Sequence, residues 1–483
     1  MQRTHSYGYI LRCRGLIRMN WRKYVGNKAF YKMVLAVFLP IMLQQAITNF
    51  VGLLDNIMVG QVGTEQMSGV AIANQLMNIF NLCIFGGLAG AGIYGAQFFG
   101  QKNDEGVRHT FRAKIWICIG LLLVFWAAFL LWGRELISLF LSESGENVGD
   151  VALTLEYGEN YLHVMLVGMI PFAIVQLYST TLREAKMPML PMMAGIVAVF
   201  VNLFFNYVLI FGNFGAPALG CVGAAIATVI SRVAECLVIV LVTHHRKERL
   251  TFLKGLYASF KVPKKLTKSI VVTGMPLLVN EALWSIGQAA ILQCYSVKGL
   301  AAVAALNISN TVSNLFFVVF FAGGNAIGII VGQLLGAGKM EEAKDTDRKL
   351  LAFIVSSCVI MGALLAVFSP LIPQIYNTAD QVRLLATQFM LIVAVTMPIN
   401  AFNNGCYFTL RCGGKTWITF FFDSVYTWII TIPLVFILTR FTTLPVVIVY
   451  FIVQFSEIIK SFVGGTLVAK GVWANNVVNG QES

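Results

Sequence analysis

Apolar residues along this chain do not alternate with polar ones. They come in long runs separated by short polar or basic stretches. Such runs, each about 20 residues or longer and able to cross about 30 Å of hydrocarbon as a helix, recur at 33–59, 70–99, 114–133, 160–182, 189–211, 219–242, 270–297, 303–335, 350–370, 384–410, 416–438 and 445–466. In hydrocarbon a lone segment must bond its own backbone N–H and C=O groups, so the runs predict α-helices. The pattern predicts an all-α polytopic membrane protein of twelve transmembrane helices, with both termini on one side.

The basic residues supply an independent check. Thirty of the 35 Lys and Arg fall in segments that twelve spans place on the side of the N-terminus; Arg134, Lys298, Arg383 and Arg440 fall on the other, and Arg232 lies within a span. The positive-inside rule then puts both termini in the cytoplasm of a cell membrane. The segments are a basic N-terminal tail (1–32), a six-helix bundle (33–242), a basic cytoplasmic linker acting as a hinge (243–269), a second six-helix bundle (270–466) and a C-terminal tail (467–483). Met19 is an alternative start to Met1, and residues 1–32 do not have the form of a cleaved signal peptide.

The two bundles repeat each other. Residues 40–115 align without a gap on 276–351 with 16 identities in 76 positions, among them Pro40/Pro276, Gly63/Gly299, Asn74/Asn310, Gln97/Gln333, Gly100/Gly336 and Arg112/Arg348. Shared apolar composition would match apolar residues, whereas most of these are Gly, Pro or polar. A weaker echo pairs Pro171 with Pro398 and Leu182-Arg183 with Leu410-Arg411. Six spans per copy keep the copies in one orientation, an internal parallel repeat of the kind that binds its substrate between halves and rocks one against the other.

A charge at the bilayer centre costs about 2.5–3.5 kcal/mol on insertion scales, so acidic residues inside spans mark candidate chemistry. Arg232 and Glu235, and likewise Glu457 and Lys460, are three apart on a helix and read as structural ion pairs. Asp55 has no basic residue nearby, and Pro40, fifteen residues earlier, weakens the same helix and predicts a bend. A lone carboxyl on a bendable helix is suited to take up a proton or a sodium ion. Asn202 and Asn206 share a face of the fifth span, and Thr228 interrupts the sixth; their oxygens suit a shared cation or proton site with a carboxylate. Glu281, opposite Gln45 in the repeat, and Asp423 are second candidates for coupling or for recognising a cationic substrate.

Composition narrows the remaining classes. Hydrophobic residues make up 58% and charged residues 12%, and the net charge of +13 sits in loops between spans, which excludes a nucleic-acid binder. The nine cysteines show no metal-ligand spacing, and LLGAGKMEE lacks the Gly and Ser/Thr of a phosphate loop. No enzyme motif, cofactor, metal beyond a coupling Na+, or obligatory protein partner is expected.

Four features together resemble the multidrug and toxic compound extrusion (MATE) family over about residues 33–466. They are Pro40 with Asp55-x-x-x-Val59-Gly60, the Gly and Gln pattern before the second loop, Leu-Arg at the ends of spans four and ten, and the GAAIAT stretch of span six. The resemblance implies two six-helix bundles forming a cation-coupled antiporter that exports small organic, cationic compounds. It also implies a coupling site at Asp55, Asn202, Asn206 and Thr228, with Pro40 as the bend. Members usually carry Asp where Asn206 stands, which favours H+ over Na+ here. The alternatives are a lipid-linked oligosaccharide flippase of the same superfamily, which would need basic residues lining its cavity, and a non-coupled channel or scaffold.

Overall fold

A computed structural model describes residues 23–141, 150–376 and 378–479. Residues 1–22, with Met19 and Cys13, lie outside them. Among the described residues twelve helices are long and apolar enough to cross a membrane: α1 (Lys28–Gly60), α2 (Thr64–Gln101), α3 (Asp104–Ser138), α4 (Val151–Glu184), α5 (Met189–Phe211), α6 (Gly220–His245), α7 (Lys264–Ser296), α8 (Leu300–Gly336), α9 (Met340–Phe368), α10 (Asp380–Cys412), α11 (Thr416–Arg440) and α12 (Val446–Ala469). They make two halves, α1–α6 and α7–α12.

Eleven of the helices are longer than the predicted spans, and eight begin earlier, α3 and α9 each by ten residues. Hydropathy reports only the apolar length, whereas the helix begins where a cap satisfies its free N–H groups. Asn27, Asn103 and Asp150 supply such caps, accepting from Phe30 N at 2.8 Å, Gly106 N at 2.9 Å and Ala152 N at 2.8 Å. Large apolar side chains such as Leu123, Leu131 and Phe200 stay exposed on the outer faces, as lipid contact requires.

The predicted bend at Pro40 is not a break, for α1 runs through it unbroken. Trp132 in α3, just before Gly133, is where the helical backbone is interrupted, at φ −128° and ψ 15°. In α11 the turns at Phe421–Val425 and Thr427–Thr431 widen to π-helix just before Pro433, whose ring would clash with a carbonyl in a normal turn.

The halves meet along α2, α7 and α8, with α1 also packed on α8. Glycines allow this closeness. A Cβ on Gly100 would overlap the carbonyl of Gln333, one on Gly336 the carbonyl of Gln97, and one on Gly90 the backbone of Gly274. The first two contacts are related by the repeat and lie on the side of the basic loops.

The linker is not a loose hinge. Two short 3-10 turns, Thr251–Leu253 and Leu256–Ala258, bury Phe252 and Leu256 in the core of the first half. Arg112 donates to the carbonyls of Gly255 and Leu256, both at 3.0 Å, and Trp116 to that of Phe260 at 3.1 Å. Tyr257 bonds the Tyr178 hydroxyl and stacks on His244, and burial raises its own hydroxyl above the usual pKa range. Apolar docking outweighs the solubility of a basic stretch.

The tail after α12 is also docked. Trp473 and Val478 are buried, and Gln97 of α2 joins three separate segments. Its Nε2 donates to Cys412 O of α10 at 3.1 Å and to Asn475 O at 3.2 Å, while its Oε1 accepts from Val477 N at 2.8 Å. Gln333, its repeat partner, donates to Glu184 O of α4 at 2.6 Å.

Candidate functional site

In the first half the structure brings the four predicted polar residues into one chain of hydrogen bonds. Asn206 Nδ2 donates to Asp55 Oδ1 at 2.5 Å and to Asn202 Oδ1 at 3.2 Å, and Asn202 Nδ2 donates to Thr228 Oγ1 at 3.5 Å. The spacing of four turns both asparagines inward from α5, where Asn202 and Asn206 are buried. Among the described residues Asn206 Oδ1 is buried without a partner. The amide therefore presents an unused acceptor beside a carboxylate. Among the described residues no basic group lies within salt-bridge distance of Asp55; Glu235, on α6 beside Gly195, is held by Arg232 at 3.0 Å.

The second half differs. Glu457 and Lys460 do not form a closed pair: Lys460 Nζ is 2.8 Å from Asp423 on α11 and 3.4 Å from Glu457. Spacing along one helix cannot reveal a partner on another. Asn280 donates to Asp423 Oδ2 at 3.1 Å, so both Asp423 oxygens are engaged. Ser424 Oγ donates to Asn280 Oδ1 at 2.6 Å, and the ammonium of Lys460 lies over Phe422 and Tyr426. Glu281, next to Asn280, forms no salt bridge among the described residues and rests its Cγ against Gly86 of α2.

Between the halves α2, α4, α8 and α10 enclose a cavity of about 90 Å³. Its polar lining is Arg183, Glu184, Thr180, Asn325 and Arg411, with Phe85 and Phe408 as walls. Arg183 Nη2 donates to Gln44 Oε1 at 2.7 Å, and Glu184 Oε1 is 2.7 Å from Lys114 Nζ, a lysine with no exposed surface. Gly92 and Gly95 of α2 leave the room this carboxylate occupies.

Comparison with known proteins finds the MatE family twice, over residues 40–208 and 276–437, once in each half. The chain belongs to the MatE family. A MATE protein is a membrane transporter and not an enzyme, and the twelve spans and the repeat are those of this fold. Among relatives, a probable multidrug resistance protein NorM of Thermotoga maritima is 25% identical over 85% of this chain and 86% of its own. The probable multidrug resistance protein YoeA of Bacillus subtilis is 26% identical over 84% and 86%. The fold matches an outward-facing MATE transporter of the MOP superfamily with a TM-score of 0.79, at 16% identity, over 93% of this chain and 98% of that one. A MOP superfamily transporter from Pyrococcus furiosus superposes with a TM-score of 0.78, at 17% identity, over 93% and 97%.

Hydropathy alone places Lys114, Arg183 and Arg411 of this transporter at the edges of spans, with the basic loops. The structure puts all three inside, two of them on the cavity wall. Arg183 and Arg411 did carry a signal, as the repeated Leu-Arg pair. Lys114 and Glu184 carried none, since a pair 70 residues apart leaves no local trace.

Proposed function

We propose that this protein is a proton-coupled antiporter of the cell membrane, both termini cytoplasmic, that exports small organic compounds by alternating access between its halves. The multidrug resistance proteins among its relatives support the export of drugs or toxic compounds. What supports coupling through Asp55 is a single contrast. Glu184, Glu235, Asp423 and Glu457 each have a basic partner within 3.4 Å, while Asp55, which forms no salt bridge among the described residues, is bonded by one amide and feels Arg232 only at longer range. A charge so placed needs compensation from outside the protein.

A proton answers the local geometry. Once neutral, Asp55 becomes a donor, and its natural acceptor is the unpartnered Oδ1 of Asn206, reached by turning the amide. That exchange alters the bond joining α1 to α5, so protonation is tied to how the first helix sits in its bundle. Sodium would call on Asn202 and Thr228 as oxygen ligands, but the amide N–H now on Asp55 Oδ1 would have to leave. Organic cations fit Asp55 and Glu281, half-buried carboxylates that form no salt bridge among the described residues.

The test is efflux of rhodamine 123, a cationic dye, from proteoliposomes under an imposed pH or sodium gradient. A pH gradient drives efflux from the wild type, and Asp55→Asn loses that drive. Efflux driven by sodium alone refutes proton coupling, and undiminished efflux by Asp55→Asn points to a channel. A second reading, a flippase for lipid-linked oligosaccharides, draws on the arginines in the cavity wall.

A further inference from the structure

The cavity between the halves holds more positive charge than an exporter of cations alone requires. Arg183 and Arg411 occupy equivalent places in the repeat, one per half, and both line the cavity. Arg411 is 9% exposed, and neither arginine forms a salt bridge among the described residues. The Arg411 guanidinium lies over Phe85 at 5.3 Å and Phe408 at 5.1 Å, with the Tyr407 hydroxyl in bonding reach. Its Nη1 and the Nε of Arg183 are buried and find no hydrogen-bond partner among the described residues. A buried donor without an acceptor costs about 1–3 kcal/mol, more when charged.

The surrounding charges do not cancel them. Lys114 is taken by Glu184 and Arg232 by Glu235, while Glu281 is in electrostatic reach of Arg411 and Glu235 of Arg183. On the cavity wall itself two arginines stand beside a single carboxylate, Glu184, which Lys114 already holds. At about 30 Å³ per water, the cavity has room for roughly three waters. That suits a charged head group and not a whole drug, whose body would extend along the Phe85 and Phe408 walls. Planar guanidinium groups pair with two oxygens at once, which favours carboxylate, sulfonate or phosphate.

We propose that Arg183 and Arg411 together form a binding site for the anionic group of an amphipathic substrate, one arginine from each half. The exported range then includes organic anions and zwitterions as well as cations. This rests on the reading of the protein as an exporter and adds a substrate class to it. Because each half supplies one arginine, an anion held by both bridges them, and it is released as the halves separate.

The test compares fluorescein, an anion, with rhodamine 123, built on the same ring frame but cationic, by fluorescence anisotropy on the full chain in phosphatidylcholine nanodiscs. Wild type binds both. Arg183→Gln or Arg411→Gln shifts the ratio of the two affinities toward the cation by about ten- to hundredfold, the worth of one charged hydrogen bond. Arg411→Lys, which keeps the charge, recovers part of the shift. Binding of rhodamine 123 without fluorescein overturns the anion site and leaves the exporter reading standing; binding of neither overturns both. An equal fall for both dyes in the Gln and Lys variants shows a packing role and also refutes the site. Replacing part of the lipid by phosphatidylglycerol separates two sources. Competition that disappears in the double Gln variant makes a lipid head group the anion bound, and its absence assigns the site to soluble anions.

Discussion

Removing the Gln97 side chain should loosen the closure of the halves on the side of the basic loops, and more so than removing its repeat partner. Gln97→Leu keeps the volume and deletes three hydrogen bonds, two to carbonyls of Cys412 and Asn475 and one from Val477 N. At about 0.5–1.5 kcal/mol each they sum to about 1.5–4.5 kcal/mol. If all three are lost on opening, the balance of closed and open forms moves by roughly ten- to a thousandfold. Gln333→Leu deletes one bond, to Glu184 O, and should move it about two- to tenfold. Spin labels at Lys186 and Lys339, exposed residues in the loops after α4 and α8, report the separation by double electron–electron resonance. The wild type should give a short distance, with a longer population growing in Gln333→Leu and further in Gln97→Leu. Unchanged distances in Gln97→Leu, or a larger effect from Gln333→Leu, would refute the latch.

Three further outcomes follow from the packing. Lys114→Met leaves Glu184 buried and unpaired and should cost about 3–5 kcal/mol, seen as a lower thermal midpoint, with much of the loss recovered in the Lys114→Met, Glu184→Met double variant; equal midpoints for single and double variants would count against it. Gly336→Ala drives a methyl into the Gln97 carbonyl, so the same spin-label pair should report opening, whereas Gly338→Ala, at φ +76° with open space around it, should cost stability without changing the distance. Arg112→Met removes two bonds to the linker and should raise hydrogen exchange across residues 250–258 several-fold; unaltered exchange would mean that the apolar contacts of Phe252 and Leu256 alone hold it.

The architecture was readable because lipid imposes one rule on every span, and because the repeat preserved residues that pack halves together. Gln97, Gln333, Gly100 and Gly336 stood out as identities before their contact was visible, and the structure makes them the latch. The cluster of Asp55, Asn202, Asn206 and Thr228 was legible since polar residues stand out against apolar helices. The cavity was not. Arg183 and Arg411 sit at helix ends, where hydropathy reads every charge as a loop, yet residues of both halves line the cavity around them, and Lys114, ten residues into α3, is covered by α4. Asp423 and Lys460, 37 residues apart, met only when α11 and α12 were packed side by side.

Docking of the linker limits how far the halves can travel. As a free chain, the roughly 18 residues from Arg246 to Pro263 would let their ends drift about 23 Å apart. With the stretch held to the first half through Phe260, the step left before α7 shrinks to residues 261–263, a reach of about 10 Å. The second half is therefore leashed close to its own partner, at a high effective concentration. Exchange of halves between neighbouring copies in a crowded membrane is suppressed, and a pivot beside α7 is the motion that remains.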